Sequence, residues 1–184
     1  MMRVRRDEIL DYVTYEEQRA EIQESALRAK EARRVIVADV LTFLFENRET
    51  IRYQIQEMIR IEKMVKESDI LREIETYNEM LPWPGGLAAT LLIGIDDPEE
   101  RDRLLREWVD LPRHIFLRFA DGDLVRARFD ERQVGEDRLS AVQFLQFDCE
   151  GRVPVAVGVD HWKLTGETVL NTEQREALRE DLNA

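Results

Sequence analysis

Residues 41–65, LTFLFENRETIRYQIQEMIRIEKMV, contain the change of pattern that decides the fold. The first residues of this stretch are mostly apolar and predict a strand, and that pattern breaks at Glu46 and Asn47. The apolar residues that follow recur at helical spacing, so we predict a helix over 48–66 with Asn47 as its N-cap. The stretch therefore predicts both kinds of element that an α+β protein combines.

Polar residues interrupt the apolar face of this helix. Gln54 and Glu62 fall within the apolar arc, and Glu57 lies just beyond its edge. Burying an unpaired polar group costs about 1–3 kcal/mol, and burying a charge costs more. We therefore expect Gln54 and Glu62 to be mostly buried and hydrogen-bonded, with Glu46 close by. Such a cluster suits a helix–sheet contact, a small-molecule site or a metal, although the Glu-x-x-His pairs of di-iron bundles are absent.

The composition is that of a folded and highly charged protein. The chain has 184 residues, of which 36% are charged and 43% are hydrophobic, so it fits one domain with a sizeable core. A net charge of −12 disfavours general affinity for nucleic acid or anionic lipid. No stretch approaches about 18 apolar residues, and the N-terminus lacks the apolar core of a secretory signal. We expect a cytoplasmic protein that binds neither nucleic acid nor membrane.

Several reaction classes are disfavoured by missing residues. A single cysteine, Cys149, excludes an internal disulfide and any multi-cysteine metal or cluster site. Its acidic neighbours Asp148 and Glu150 are expected to raise the pKa of the thiol and make it a poor nucleophile. The chain has no glycine-rich phosphate loop and no serine-centred elbow, which disfavours nucleotide hydrolysis and serine esterase chemistry.

The motif LPWPGG, residues 81–86, is the strongest break in the chain. We predict a helical half over about 7–81, a mostly β half over about 87–161 and a C-terminal helix over about 172–182. All three parts are assigned to a single domain, residues 1–184. The predicted fold is α+β, with a helical N-terminal half packed on a mainly antiparallel sheet.

The first long helix, predicted over 7–33, has only a narrow apolar stripe. Ile9, Val13, Ala20 and Leu27 form that stripe. A helix with so little apolar surface packs on a single neighbour. A second copy of the chain is one candidate for that neighbour, and we expect a homo-oligomer.

A β-hairpin is predicted over 114–129. A three-residue loop over 120–122, with Gly122 in the left-handed conformation, pairs Leu117 with Val125 and gives one clean apolar face. The other face is basic and carries Arg118, Arg126 and Arg128, with Arg132 nearby. Guanidinium groups bind carboxylate or phosphate through two hydrogen bonds, so this face suits an anionic ligand. It equally suits ion pairs with the acidic helices or across a dimer interface.

Four sequence motifs resemble a known family. They are Arg33-Arg34-Val35, the block over residues 41–62, Tyr77-Asn78 and Gly158-Val159-Asp160-His161. Together they resemble an uncharacterised bacterial family, a domain of unknown function whose members are small acidic proteins of about this length. The family has no established activity, so the resemblance implies no catalytic residues and no cofactor. Its members are often encoded near rubrerythrin-like and iron–sulfur protein genes, which implies a redox or oxidative-stress context and a protein partner there.

A second candidate site lies at the end of a predicted apolar strand, at Asp160 and His161. Histidine titrates near neutral pH, so a strand-end histidine suits acid–base chemistry or metal ligation, although a packed structural role is the simpler reading. The other histidine, His114, is a weaker candidate. If a pocket exists, we expect His161 within about 10 Å of Glu57 or Glu62, close enough for a water-bridged network. The predicted polar pocket comprises Glu46, Arg48, Gln54, Glu57, Glu62, Asn78, Asp160 and His161.

Two functional hypotheses follow from these features. The first is a non-catalytic accessory or binding protein that serves a redox system. The second is a metal-dependent or small-molecule redox enzyme with its site between the predicted helix over 48–66 and Asp160-His161. No metal, cofactor or substrate is assigned by the sequence, and the question of enzymatic activity stays open between these two.

Overall fold

The structure is a computed structural model that describes residues 3–184. Within that range the chain forms five α-helices and eight β-strands, so the predicted α+β class is confirmed. The helices are α1 (Tyr12–Glu31), α2 (Arg48–Ile61), α3 (Glu67–Asn78), α4 (Pro98–Glu107) and α5 (Thr172–Asn183). The strands are β1 (Arg34–Val37), β2 (Leu41–Glu46), β3 (Leu87–Ile93), β4 (Ile115–Arg118), β5 (Leu124–Arg126), β6 (Val142–Phe147), β7 (Ala156–His161) and β8 (Leu164–Val169). None of the helices in the described range has the length and apolar character needed to cross a membrane.

The strands form two antiparallel sheets rather than one. The first sheet has the order β1-β2-β3-β6, and the second has the order β5-β4-β7-β8. The sheets meet at one edge through a bridge between Arg128 and Gln146. At the other edge, the Thr168 hydroxyl of β8 donates to the carbonyl of Ile36 in β1 at 2.7 Å. The result is a nearly closed ring of strands to which the N-terminal half contributes β1 and β2.

The main core fills the space between the two sheets. Strand β6 shows the alternation that this requires, since Gln143, Leu145 and Phe147 are buried while the residues between them are more exposed. Phe43 from the first sheet and Leu117 from the second sheet are fully buried in the same cluster. Burying a side chain of that size contributes about 1.5–3 kcal/mol, so this shared core holds the two sheets together.

Helices α1, α2 and α3 form a separate layer with a second apolar cluster. Ile51, Ile55 and Ile59 of α2 lie in that cluster together with Ile70 and Ile74 of α3. These spacings of three and four residues place the isoleucines on one face of each helix. The layer covers the side of the first sheet that faces away from the main core.

Helix α2 begins as predicted and ends earlier than predicted. The Asn47 side chain accepts a hydrogen bond from the backbone N–H of Thr50 at 2.9 Å, which confirms the N-cap. The helix ends at Ile61, because Lys63 adopts a left-handed backbone with φ of 48°. A residue in that conformation terminates an α-helix.

The predicted hairpin register is confirmed. Leu117 pairs with Val125, and Phe116 pairs with Arg126. Gly122 has a φ of 92°, as the three-residue loop requires.

Two features near the C-terminus were not predicted. Strand β8 has the sequence LTGETV, in which half-buried residues alternate with exposed residues, and it lacks the apolar run of a buried strand. The N-cap of α5 is Asn171, whose side chain accepts from the Gln174 N–H at 2.8 Å.

Candidate functional site

Glu46, at the end of β2, is a buried carboxylate without a cationic partner. Its side chain is only 2% exposed. The carboxylate accepts hydrogen bonds from the Thr90 hydroxyl at 2.7 Å, the Gln54 amide at 3.2 Å and the Thr50 hydroxyl. All three donors are neutral. Within residues 3–184, no lysine or arginine nitrogen lies within the 4.0 Å of an ion pair with Glu46.

The local sequence explains how Glu46 is placed. Phe45 points into the main core, so the next side chain along the strand points to the opposite face, where α2 covers it. The capping turn at Asn47 brings Thr50 beside the carboxylate, and Gln54 lies one helical turn further along the same face. The transition from β2 to α2 thus supplies three of the four members of this hydrogen-bonded group, Glu46, Thr50 and Gln54, and Thr90 of β3 is the fourth.

Glu46 lines a cavity of about 410 Å³. The cavity lies between the end of α3, the outward face of β3 and β6, and the segment 128–133. Its apolar lining includes Met80, Phe129 and Phe144. Pockets that bind small molecules have volumes of roughly 300–1,000 Å³ and combine apolar walls with a few polar groups. The cavity has this size and this composition, with a charged group in its wall.

The charged residues around the cavity are mostly acidic. Glu79 and Asp130 line it in addition to Glu46, and Arg128 is the one basic residue in the lining. The Arg128 guanidinium pairs with Asp148 at 3.2 Å and lies 5.4 Å from the centre of the Trp83 ring. This arginine is therefore already held by partners outside the lining.

Two pKa shifts bear on this acidic environment. Hydrogen bonds from Arg132 lower the pKa of Asp130 to about 2, so that carboxylate stays charged. Burial, and then the charges of Glu73, Glu62 and Glu46, raises the pKa of the Tyr77 hydroxyl. Negative charge is thus concentrated around α3 and the end of β2.

The polar residues predicted on the buried face of α2 lie in different surroundings. Gln54 is half-buried and hydrogen-bonded to Glu46, as expected for a polar group on that arc. Glu62 is exposed, and the prediction that it is buried is wrong. The reason is that α2 ends at Ile61 and the chain turns away, so Glu62 caps the helix instead of facing the sheet.

Glu57 faces α1 and lies outside the cavity. Its carboxylate accepts from the Tyr15 hydroxyl at 2.6 Å and from Arg19 at 2.8 Å, and Arg60 lies at 3.2 Å. Burial alone would raise the pKa of Glu57, but these hydrogen bonds lower it to about 2. Glu57 is therefore an ion-paired contact between two helices.

Arg48 and Asn78 hold the N-terminal segment. The Arg48 guanidinium pairs with Glu8. The Asn78 side chain accepts from the Val4 N–H and donates to the Val4 carbonyl, both at 2.9 Å. Neither residue lines the cavity.

His161 belongs to a second polar cluster, on the second sheet. Its side chain is fully buried, and its Nδ1 accepts from the Lys163 N–H at 3.2 Å. The proton is therefore on Nε2, which donates to Asp110 at 3.1 Å. His114 lies between Asp110 and Asp160, at 3.4 Å and 3.5 Å, and the two histidine rings are 5.1 Å apart.

The predicted single pocket is not assembled by these contacts. The partners of Glu57 come from α1 and α2, whereas those of His161 come from the second sheet and the turn before it. Of the predicted pocket residues, only Glu46 lines the cavity, and Gln54 is hydrogen-bonded to it from outside the lining. Among residues 3–184, no group of three His, Cys, Asp or Glu side chains is arranged to hold a metal ion.

The arginines of the basic face have partners within the sheets and their connections. Arg118 pairs with Glu167 of β8, at 2.8 Å, and Arg126 forms two hydrogen bonds of 2.7 Å with Asp160. Together with the Arg128–Asp148 pair, these contacts neutralise the face locally. The acidic helices supply none of these carboxylates.

Cys149 is buried, and burial is the main cause that raises the pKa of its thiol to about 12. The charge of Asp148 adds a smaller increase. The raised pKa was predicted, but the sequence suggested the neighbouring charges as its cause.

Among the residues that line the cavity, only Glu46 belongs to the predicted polar pocket. Thr90 is a polar residue within the apolar strand LAATLLI, and it is the strongest signal that was available. Phe144 lies directly opposite Thr90 in the neighbouring strand β6. No local pattern reveals that pairing, because β3 and β6 are separated by α4 and the hairpin.

Comparisons with known proteins agree with the resemblance drawn from the motifs. The chain is similar to a protein of unknown function from Burkholderia pseudomallei K96243, whose crystal structure was determined at 1.90 Å resolution. The two chains are 30% identical, the match covers 98% of this chain and 100% of that one, and the TM-score is 0.89. No curated protein matches the chain. Residues 3–182 match the family described as "Protein of unknown function (DUF3501)", and the chain belongs to that family.

Proposed function

We propose that this protein is a small-molecule binding protein whose ligand occupies the cavity beside Glu46. One observation carries the proposal: a 2% exposed carboxylate, held only by neutral donors, lines a cavity of about 410 Å³. Removing a charge from water costs several kcal/mol, and three neutral hydrogen bonds offset only part of that cost. A ligand that contacts the carboxylate offsets the rest of this desolvation cost.

The geometry favours binding over catalysis. Both oxygens of Glu46 already accept hydrogen bonds, and its partners are two threonines and a glutamine, none of which is an acid or a base near neutral pH. The two histidines lie in the separate cluster on the second sheet. This supports the accessory or binding protein over the redox enzyme.

Ligand binding is tested by protein-observed NMR with a library of small molecules. Binding in the cavity is expected to shift the amide signals of Thr90, Phe129 and Phe144 most strongly. The variant Thr76→Trp places a large ring in the cavity wall, at an exposed position on α3, and is expected to abolish these shifts.

The matched control is Glu75→Trp, one residue away on α3 and outside the lining. It carries the same added ring and is expected to leave binding unchanged. The proposal fails if no library member shifts the cavity signals, or if both tryptophan variants behave alike.

The finer expectations of a redox partner, a cytoplasmic location and a homo-oligomer belong to the same proposal. The redox context rests on the resemblance alone.

The homo-oligomer is supported by the exposed apolar residues Val13 and Leu27 on α1, which are 54% and 51% exposed. Light scattering of the purified protein tests the oligomer. Metal and absorbance analysis tests the alternative, because a stoichiometric metal or chromophore would favour a redox enzyme.

A further inference from the structure

We infer that the ligand of the cavity is a small organic amine, bound as a cation with its charged nitrogen against Glu46 and its apolar part against Phe144. This inference rests on the proposed function and specifies the class of ligand. It follows from the charge, the helix end and the aromatic rings that surround the cavity.

The first argument is the charge of the lining. Three carboxylates, Glu46, Glu79 and Asp130, face one guanidinium, and that guanidinium is engaged by Asp148. Asp130 is itself paired with Arg132, whose side chain is 90% exposed. Glu46 and Glu79 have no lysine or arginine nitrogen within 4.0 Å in the described part of the chain, so the cavity keeps an excess of negative charge.

The second argument is the position of α3. Thr76, Glu79 and Met80 lie at the C-terminal end of this helix and line the cavity. The C-terminal end of an α-helix carries a partial negative charge, which favours a cation within about one turn. An anionic ligand would meet this helix end and the carboxylates together.

The third argument is the pairing of carboxylate with aromatic lining. Phe144 and Phe129 line the cavity. The Arg113 guanidinium, which is outside the cavity lining, lies 5.6 Å from the centre of the Phe129 ring. Aromatic faces attract ammonium groups, and the attraction grows when the site excludes water. A ligand with a cationic head and a carbon skeleton matches both parts of the cavity.

The test uses amines paired with an alcohol and a carboxylic acid that carry the same hydrocarbon group. One such set is 2-phenylethylamine, 2-phenylethanol and 3-phenylpropionic acid, within a panel of small primary and quaternary amines treated in the same way. Affinities are measured by isothermal titration calorimetry at neutral pH and moderate salt. The amines are expected to bind at least about tenfold more tightly than their paired alcohols, and the acids are expected not to bind.

The variant Glu46→Gln removes the charge and keeps the shape. The hydrogen bonds can be re-formed, because the Thr50 hydroxyl also lies 3.0 Å from the Asn47 carbonyl and can accept from the new amide. Unchanged thermal unfolding checks that the fold is kept. This variant is expected to lose the preference for amines while binding of the alcohols changes little. Glu75→Gln, on the outside of α3, is the matched control and should keep the preference.

The outcomes separate this inference from the proposed function. If alcohols or acids bind in the cavity as tightly as amines, or if Glu46→Gln keeps the preference, the amine inference is overturned and the binding function stands. If no member of any class binds and the NMR signals of the cavity do not move, both fail.

Discussion

At the tip of the β4–β5 hairpin, Gly122 has a backbone conformation that other residues adopt only under strain. Its φ is 92°, and a Cβ added there would meet nothing within 4 Å. The cost of substitution therefore comes from the backbone and not from a clash. We expect Gly122→Val to lower the free energy of unfolding by more than about 1 kcal/mol, measured by urea denaturation.

The matched substitution is Gly122→Asn, since asparagine tolerates a positive φ better than a β-branched residue. It should cost clearly less than the valine variant. Equal stability of the wild type and the valine variant would mean that the hairpin does not have this loop.

A different glycine shows how one residue sets the packing of the second sheet. A Cβ at Gly158 would lie 2.3 Å from the ring of Phe116, on the neighbouring strand β4. The missing side chain lets the Phe116 ring lie across the strand next to Arg126, whose guanidinium is 5.4 Å from the ring centre.

Among the elements, α5 is tied to the start of β1 by a buried ion pair. Arg33 and Asp181 form hydrogen bonds of 2.7 Å and 2.9 Å, and both residues are less than a tenth exposed. Asp181→Ala leaves a buried guanidinium without its carboxylate, and we expect a loss of about 3–5 kcal/mol in unfolding free energy. Chemical denaturation measures it.

The control for that pair is Glu24→Ala, which removes an exposed partner of Arg28 on α1. It should cost less than about 1 kcal/mol. The double substitution Arg33→Met with Asp181→Leu should recover much of the loss, because it removes both charges together. A loss below about 1 kcal/mol for Asp181→Ala would show that the pair does not fasten the helix.

The α1–α2 contact is predicted to weaken in acid through Glu57. Its pKa is lowered to about 2 in the folded state, below the ordinary value of 4.5. The folded state therefore binds fewer protons than the unfolded state between these two values, and stability falls as the pH falls through that range. We expect Glu57→Gln to remove a contribution on the order of 2 kcal/mol at neutral pH, and the gap between the two proteins to close towards pH 2.

Thermal or urea unfolding between pH 6 and pH 2 tests this expectation. Glu180→Gln, at an exposed position on α5, is the control and should run parallel to the wild type. A constant gap between the wild type and Glu57→Gln across this range would contradict the assignment of the lowered pKa.

At the scale of the whole molecule, local patterns predicted individual helices and strands well. They did not predict how the strands form two sheets that close into a ring. Strand β2, the start of α2 and the hairpin register follow from an apolar run, a cap and a turn, all of which are local. The closure of the two sheets into a ring depends on the Arg128–Gln146 bridge and the contact of Thr168 with Ile36. These contacts join residues far apart in the chain, and no periodicity reports them.

The same limit explains what was right and wrong about the candidate site. Glu46 and Gln54 were identified because polar groups on an apolar face need partners, and they do contact each other. Glu62 continues the helical period, so the pattern predicted a helix that extends beyond Ile61. The left-handed backbone at Lys63 ends the helix there. His161 was predicted to lie near α2 because polar groups on an apolar face need polar partners. Its partners are instead Asp110, in the turn before the second sheet, and Lys163, which follows β7.

The most direct test of the account is a crystal structure of the protein soaked with the tightest-binding primary amine of the panel. We expect the ammonium nitrogen at a charge-assisted hydrogen-bond distance, about 2.7–2.9 Å, from a Glu46 carboxylate oxygen, with the carbon skeleton against Phe144. An amine bound elsewhere, or an unoccupied cavity in a crystal soaked well above the dissociation constant, would contradict the claim that the cavity beside Glu46 is the ligand site.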